Sequence, residues 1–135
     1  MDKETVRHVQ QSWAKVAPIA PEAAALFYNN LFIADPALRP MFKGNMNEQG
    51  KKLMQMIGAA VGKLDDLDTL VPILQSLGKR HGTYGVVPAH YGTVGSALLM
   101  TLSQGLGPAF TPEVKSAWNE VYGVMANVMI EASIS

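Results

Sequence analysis

Apolar residues return every three or four positions along almost the whole chain, and no stretch alternates apolar with polar residues for long enough to make a half-buried strand. This periodicity predicts an all-α fold. Val6, Val9, Trp13 and Val16 mark one face of a first helix that Asp2 can cap, and the stretch from Pro18 to Pro21 interrupts it. Pro21 suits the first turn of a second helix carrying Leu26, Phe27, Tyr28, Leu31 and Phe32. Asp35-Pro36 restarts a short helical piece that ends near Pro40 to Phe42, ahead of the turn-rich KGNMN.

A longer helix is expected from about Asn47 to Lys63, with Leu53, Ile57, Ala60, Val61 and Leu64 on one side. Asp65, Asp66 and Asp68 link it to a helix starting near Thr69, whose stripe reads Leu70, Leu74, Leu77, His81. Gly82 and Gly85 are expected to close that helix, because glycine takes the left-handed conformation without steric cost. Pro88 opens a further helix with Tyr91, Val94, Leu98, Thr101 and Leu102, and Thr111-Pro112 opens the last, with Val114, Trp118, Val121, Tyr122, Met125, Val128 and Met129. The expectation is six substantial helices and one or two short ones in a single domain, residues 1–135.

Composition narrows the function classes. A chain of 135 residues can bury a sizeable core. Eleven basic residues balance eleven acidic ones, so no net field draws the protein to nucleic acid or anionic membranes. The absence of cysteine excludes disulfides, thiolate metal sites, a Cys nucleophile and covalent haem attachment through C-x-x-C-H. MDKETVRHV is charged where a signal peptide is apolar, and no segment approaches the ~18 apolar residues of a membrane span. A cytoplasmic protein is expected.

His81 is the residue with the most chemical content. One reading is a core histidine satisfied by a hydrogen bond. The other follows from its place near a helix end, where the Leu77 carbonyl four residues back can accept the imidazole N–H, fix the tautomer and leave the second nitrogen free for a metal. One protein nitrogen cannot hold zinc or calcium, which need three or more ligands, whereas a haem iron needs only one. His8 lies off its helix's apolar face and His90 in a first turn, and both read as ordinary polar positions. Gln49 tops an apolar face one turn before Leu53, and is either an exposed first-turn residue or a site residue. Tyr28 and Phe42 are either plain core or pocket lining. GAAVGK, residues 58 to 63, is not a phosphate loop: three residues separate its glycines, Leu64 follows, and it lies within a helix. The eight methionines read as adaptable core filling, and Lys51-Lys52 and Lys79-Arg80 as solvated surface.

The ordered set LFYNNLF (26–32), ADPALRPMF (34–42), NEQGKKLM (47–54), LGKRHGTYGV (77–86), HYGTVGSALL (90–99) and AWNEVYGVMANVMI (117–130) resembles the bacterial single-domain globins of the flavohaemoglobin lineage. The likeness covers nearly the whole chain and rests on several motifs in order and at matching separations. It implies the globin fold around a non-covalent haem b. His81 then matches the proximal iron ligand and Phe42 the phenylalanine that stacks on the porphyrin. Leu77 and Tyr91 complete the proximal cofactor contacts, and Tyr28, Gln49 and Leu53 match the distal pocket.

In that lineage the tyrosine matched by Tyr91 joins the proximal histidine and a glutamate of the last helix. Here the glutamate's place falls at Ser133, and the nearest acid is Glu131. The implied function is reversible binding of oxygen, with carbon monoxide and nitric oxide as related ligands, by a monomer or homodimer. The alternative is nitric oxide dioxygenation served by an external reductase, since 135 residues leave no room for a reductase module.

Overall fold

The computed structural model describes residues 2–42 and 44–134, so Lys43 of the KGNMN turn lies outside the described residues. Six helices follow one another: α1 (Lys3–Val16), α2 (Ala20–Ala34), α3 (Met46–Gly62), α4 (Leu67–Thr83), α5 (Pro88–Leu106) and α6 (Pro112–Ser133). Among the described residues three short 3-10 turns join them, at Ala17–Ile19, Pro36–Met41 and Gly107–Ala109, one more than the highest number expected.

The starts are set by side chains that accept orphan backbone N–H groups. Asp2 accepts from Thr5 at 2.8 Å, Asn45 from Asn47 at 2.8 Å, and Thr111 from Val114 at 3.3 Å. Helix α4 begins at Leu67, two residues before the sequence signal at Thr69, because the Asp66 carbonyl already accepts from the N–H groups of Thr69 and Leu70.

The core is built on α6. Its Trp118 and Val121 are fully buried with Val9, Leu31, Leu70 and Leu102 from four other helices. Trp118 donates its indole N–H to Ser12 of α1 at 2.7 Å, so even the polar atom of this large ring is satisfied inside. Helix α6 packs against α4, α1 and α5, while α2 packs against α5 and α3.

Bare glycine backbone makes the closest helix crossings possible. At Gly78 of α4 a Cβ atom would sit 2.3 Å from the Met129 carbonyl oxygen of α6, which no side chain can tolerate. One turn later, a Cβ on Gly82 would come within 3.2 Å of the Ser133 Cβ. Gly82 therefore serves packing: it stays inside α4 without a positive φ, contrary to the expectation that it ends the helix. Gly85 alone takes that role, with φ of 89°. Its N–H donates to the Gly82 carbonyl and the Val86 N–H to that of His81, closing α4 in a Schellman motif.

Gly78→Ala should lower unfolding free energy by about 1–3 kcal/mol through overpacking, although alanine is the better helix former. Gly123→Ala, in α6 where nothing lies within 4 Å of the added carbon, should instead raise it by roughly 0.5–1 kcal/mol. Urea unfolding of the two variants measures both signs.

Candidate functional site

His81 is half-buried near the end of α4, and its Nδ1 lies 2.8 Å from the Leu77 carbonyl oxygen. A carbonyl can only accept, so Nδ1 is the donor, and the tautomer this selects leaves Nε2 as the nitrogen able to ligate. Because α4 runs on to Thr83, the Leu77 carbonyl lies within the helix and not at its free end; it meets the imidazole through its second lone pair. Gly78 and Gly82 flank this histidine on the side facing α6, where they seat the helix against Met129 and Ser133.

A second group forms where α2 meets the Pro36–Met41 turn. The buried Tyr28 ring meets Phe27 and Phe42 edge-on at centroid distances of 5.3 and 5.4 Å and stacks on Phe32 at 5.9 Å. Phe32 and Phe42 meet each other at 5.5 Å, so three rings from two elements close into a triangle. Burial among them pushes the Tyr28 phenol up to about 12, so it stays a neutral O–H donor throughout the physiological range.

Helix α3 is drawn onto this group at Gly50, where a Cβ would lie 2.9 Å from that of Ala24 and 3.9 Å from the Tyr28 ring. Gln49, half-buried in the first turn of α3, directly precedes that contact, and half-buried Leu53 follows one turn later. The structure thus assembles Tyr28, Phe42 and the Gln49–Leu53 face as one neighbourhood. His81 and Leu77 belong to another, because α4 rests on α6 and has little packing against α2 or α3.

Tyr91 is buried in the first turn of α5, and its hydroxyl finds no hydrogen-bond partner among the described residues. Its carbonyl accepts from the Tyr122 hydroxyl at 2.6 Å, and the Tyr122 ring lies over Gly95. Ser133 donates to the Ile130 carbonyl of its own helix at 2.7 Å, and Glu131 is exposed, so neither residue satisfies Tyr91.

The globin family model matches residues 25–129, which span both groups of site residues. This chain is a globin. It is similar to neuroglobin of Danio rerio, with 32% identity over 90% of this chain and 85% of that protein. It is also similar to a flavohaemoprotein of Bacillus subtilis strain 168, with 30% identity over 96% of this chain. This globin spans only 33% of that relative's length. Among solved structures, a bacterial globin from Campylobacter jejuni superposes with a TM-score of 0.85 at 25% identity, covering 98% of this chain and 96% of that one. A flavohaemoglobin of Malassezia yamatoensis shares the fold with a TM-score of 0.82 at 24% identity, and 98% of this globin covers 36% of that chain.

Globins hold b-type haem, and the residues here suit that group. The described residues bring no three His, Asp or Glu side chains together for a bare metal ion, while His81 keeps Nδ1 on the Leu77 carbonyl and has Nε2 as its other ring nitrogen. The aromatic triangle and half-buried Leu53 and Leu77 are apolar, as contact with a porphyrin face requires. No helix of the described residues is long and apolar enough to cross a membrane.

The helix face shared by Tyr28 and Phe32 was legible from their spacing of four residues. Gly50 and Gly78 were missed as contact points, because a close crossing depends on a partner helix remote in sequence.

Burial raises the phenols of Tyr28, Tyr91 and Tyr122, and Tyr91 raises Tyr122 further. The native state therefore keeps these protons to higher pH than the unfolded chain, whose tyrosines titrate near 10.0. Their contribution to stability is complete below that value and is lost as pH rises from there through the Tyr28 value of about 12. Chemical unfolding across this range should show the decline, and Tyr122→Phe should make it shallower. A flat profile in the parent would contradict the burial of all three.

Proposed function

We propose that this globin binds molecular oxygen reversibly, with His81 as the proximal ligand and Tyr28 and Gln49 as the distal donors. The observation that carries the reading is the Tyr28 phenol, buried among Phe27, Phe32 and Phe42 and held neutral with a pKa of about 12. When bound, the haem supplies an iron with one position open to a diatomic gas. His81 would hold that iron through Nε2, and the Leu77 carbonyl fixes the ring's tautomer and orientation.

Tyr28 would donate a hydrogen bond to the electronegative end of the gas. Burial among the surrounding rings lowers the local dielectric, which makes such a bond stronger than at an open surface. Gln49 contributes from α3, by orienting the phenol or by donating itself. Phe42, Leu53, Leu77 and Tyr91 line the cofactor. On the proximal side the exposed Glu131 and the self-bonded Ser133 leave Tyr91 without an ionised partner, which favours ligand binding over peroxide chemistry.

Nitric oxide dioxygenation is the second reading, favoured by the likeness to a flavohaemoprotein and to a flavohaemoglobin with bound FAD and haem. This globin aligns with about a third of each, so on this reading the electrons come from outside the aligned globin domain. Aerobic nitric oxide consumption that yields nitrate and scales with added electron donor selects this reading.

Tyr28→Phe should cost about 1.5–3 kcal/mol of oxygen-bound stability, seen chiefly as a roughly ten- to hundredfold faster oxygen off-rate. Gln49→Leu should have a smaller effect, and carbon monoxide release should change far less in either variant. Oxygen release at the parent rate from both variants would remove the distal assignment. His81→Gly, purified without imidazole, should lose haem or the histidine-ligated ferrous spectrum; an unchanged spectrum and haem content would remove the proximal one.

A further inference from the structure

We infer that Arg39 is a positioning residue for the distal donor, a surface clamp that sets the Tyr28 hydroxyl through the two phenylalanine rings beside it. The inference rests on the distal reading of Tyr28 given above. Arg39 is exposed in the Pro36–Met41 turn and takes no part in any ion pair with a carboxylate among the described residues. Its guanidinium is committed inward. Nη1 donates to the Phe42 carbonyl at 3.1 Å, while the guanidinium carbon lies over the Phe32 ring, 5.5 Å from its centroid.

One planar cation therefore grips both elements that carry the rings touching Tyr28. Phe32 belongs to α2, and Phe42 follows the 3-10 turn; the Phe42 N–H returns a hydrogen bond to the Arg39 carbonyl at 3.1 Å. Without the side chain, the Phe42 carbonyl loses the donor that ties it to the guanidinium lying over Phe32. The triangle then closes less firmly, because nothing else described links Phe42 to α2 except ring contacts. A cation over an aromatic face adds most where it also makes a directed hydrogen bond, and guanidinium has the planar shape for both at once.

This division of labour makes a specific demand. Arg39 touches neither the gas nor His81, so its removal acts on ligands only as far as Tyr28 does. Oxygen, which needs the phenol donor, feels it; carbon monoxide, which gathers little negative charge, does not.

The test compares the haem-loaded parent, Arg39→Ala, Tyr28→Phe and the double variant. Arg39→Ala should release oxygen about three- to tenfold faster, with carbon monoxide release unchanged, and should add nothing in the Tyr28→Phe background. The carbonyl carbon-13 chemical shift of Phe42 in the carbon monoxide form gives a readout independent of oxygen, and should move in Arg39→Ala as the guanidinium donor is lost. Parent-like oxygen release from Arg39→Ala alongside fast release from Tyr28→Phe would overturn the inference and leave the distal reading standing. Equal acceleration of oxygen and carbon monoxide, a full added increment in the double variant, or an unchanged Phe42 carbonyl shift would also overturn it. Parent-like release from Tyr28→Phe itself would sink the distal reading and the inference together.

Discussion

The contact of Gly78 with the Met129 backbone is the constraint on which the α4–α6 half of this globin depends. A helix crossing at which a single Cβ would stand 2.3 Å from a carbonyl oxygen has no freedom to slide or roll. It seats α4 on α6, and Gly82 against Ser133 repeats the contact one turn on. His81 lies between these glycines in sequence and inherits their placement. Its ring is then fixed by the Leu77 carbonyl, and the helix beyond it by the Gly85 cap. Backbone packing sets where the histidine stands, and a hydrogen bond sets which nitrogen it offers.

The half around Tyr28 is organised by different physics. Tyr28 is held by rings, whose edge-to-face contacts are directional but individually weak, of order 0.5–1.5 kcal/mol. Burial among them keeps its hydroxyl protonated. Such a donor is well suited to an uncharged, weakly polar ligand, which offers little to bind except a partial negative end. Gly50 brings α3 to the same place by the device used at Gly78, so bare backbone positions both halves.

Tyr91 ties α5 to α6. Its carbonyl takes the Tyr122 hydroxyl while its own hydroxyl stays buried without a described partner. An unpaired buried hydroxyl costs about 1–3 kcal/mol, which is tolerated more often near a functional site than elsewhere in a core. The side chain at 133 turns back to its own helix, and the acid at 131 faces outward.

Local chemistry was enough to determine the helices, their caps and the stripe that carries His81, because periodicity, proline, glycine and capping side chains act within a turn or two. The tautomer partner of His81 was legible for the same reason, since Leu77 stands one helical turn away. The Gly82 reading failed: local rules make a glycine at a helix end a terminator, and only the presence of Ser133 across the crossing shows that it is needed as a surface without a side chain. The start of α4 before Thr69 and the third 3-10 turn escaped because they depend on one or two backbone bonds that residue type hardly biases. The face shared by Tyr28 and Phe32 was legible, but the closing of the ring triangle by Phe42 was not, as it joins two elements separated by a turn whose direction the sequence leaves open. What the sequence by itself determined was which residues can donate, ligate or pack; only the tertiary structure decided which of them meet, because those contacts are made between helices remote along the chain.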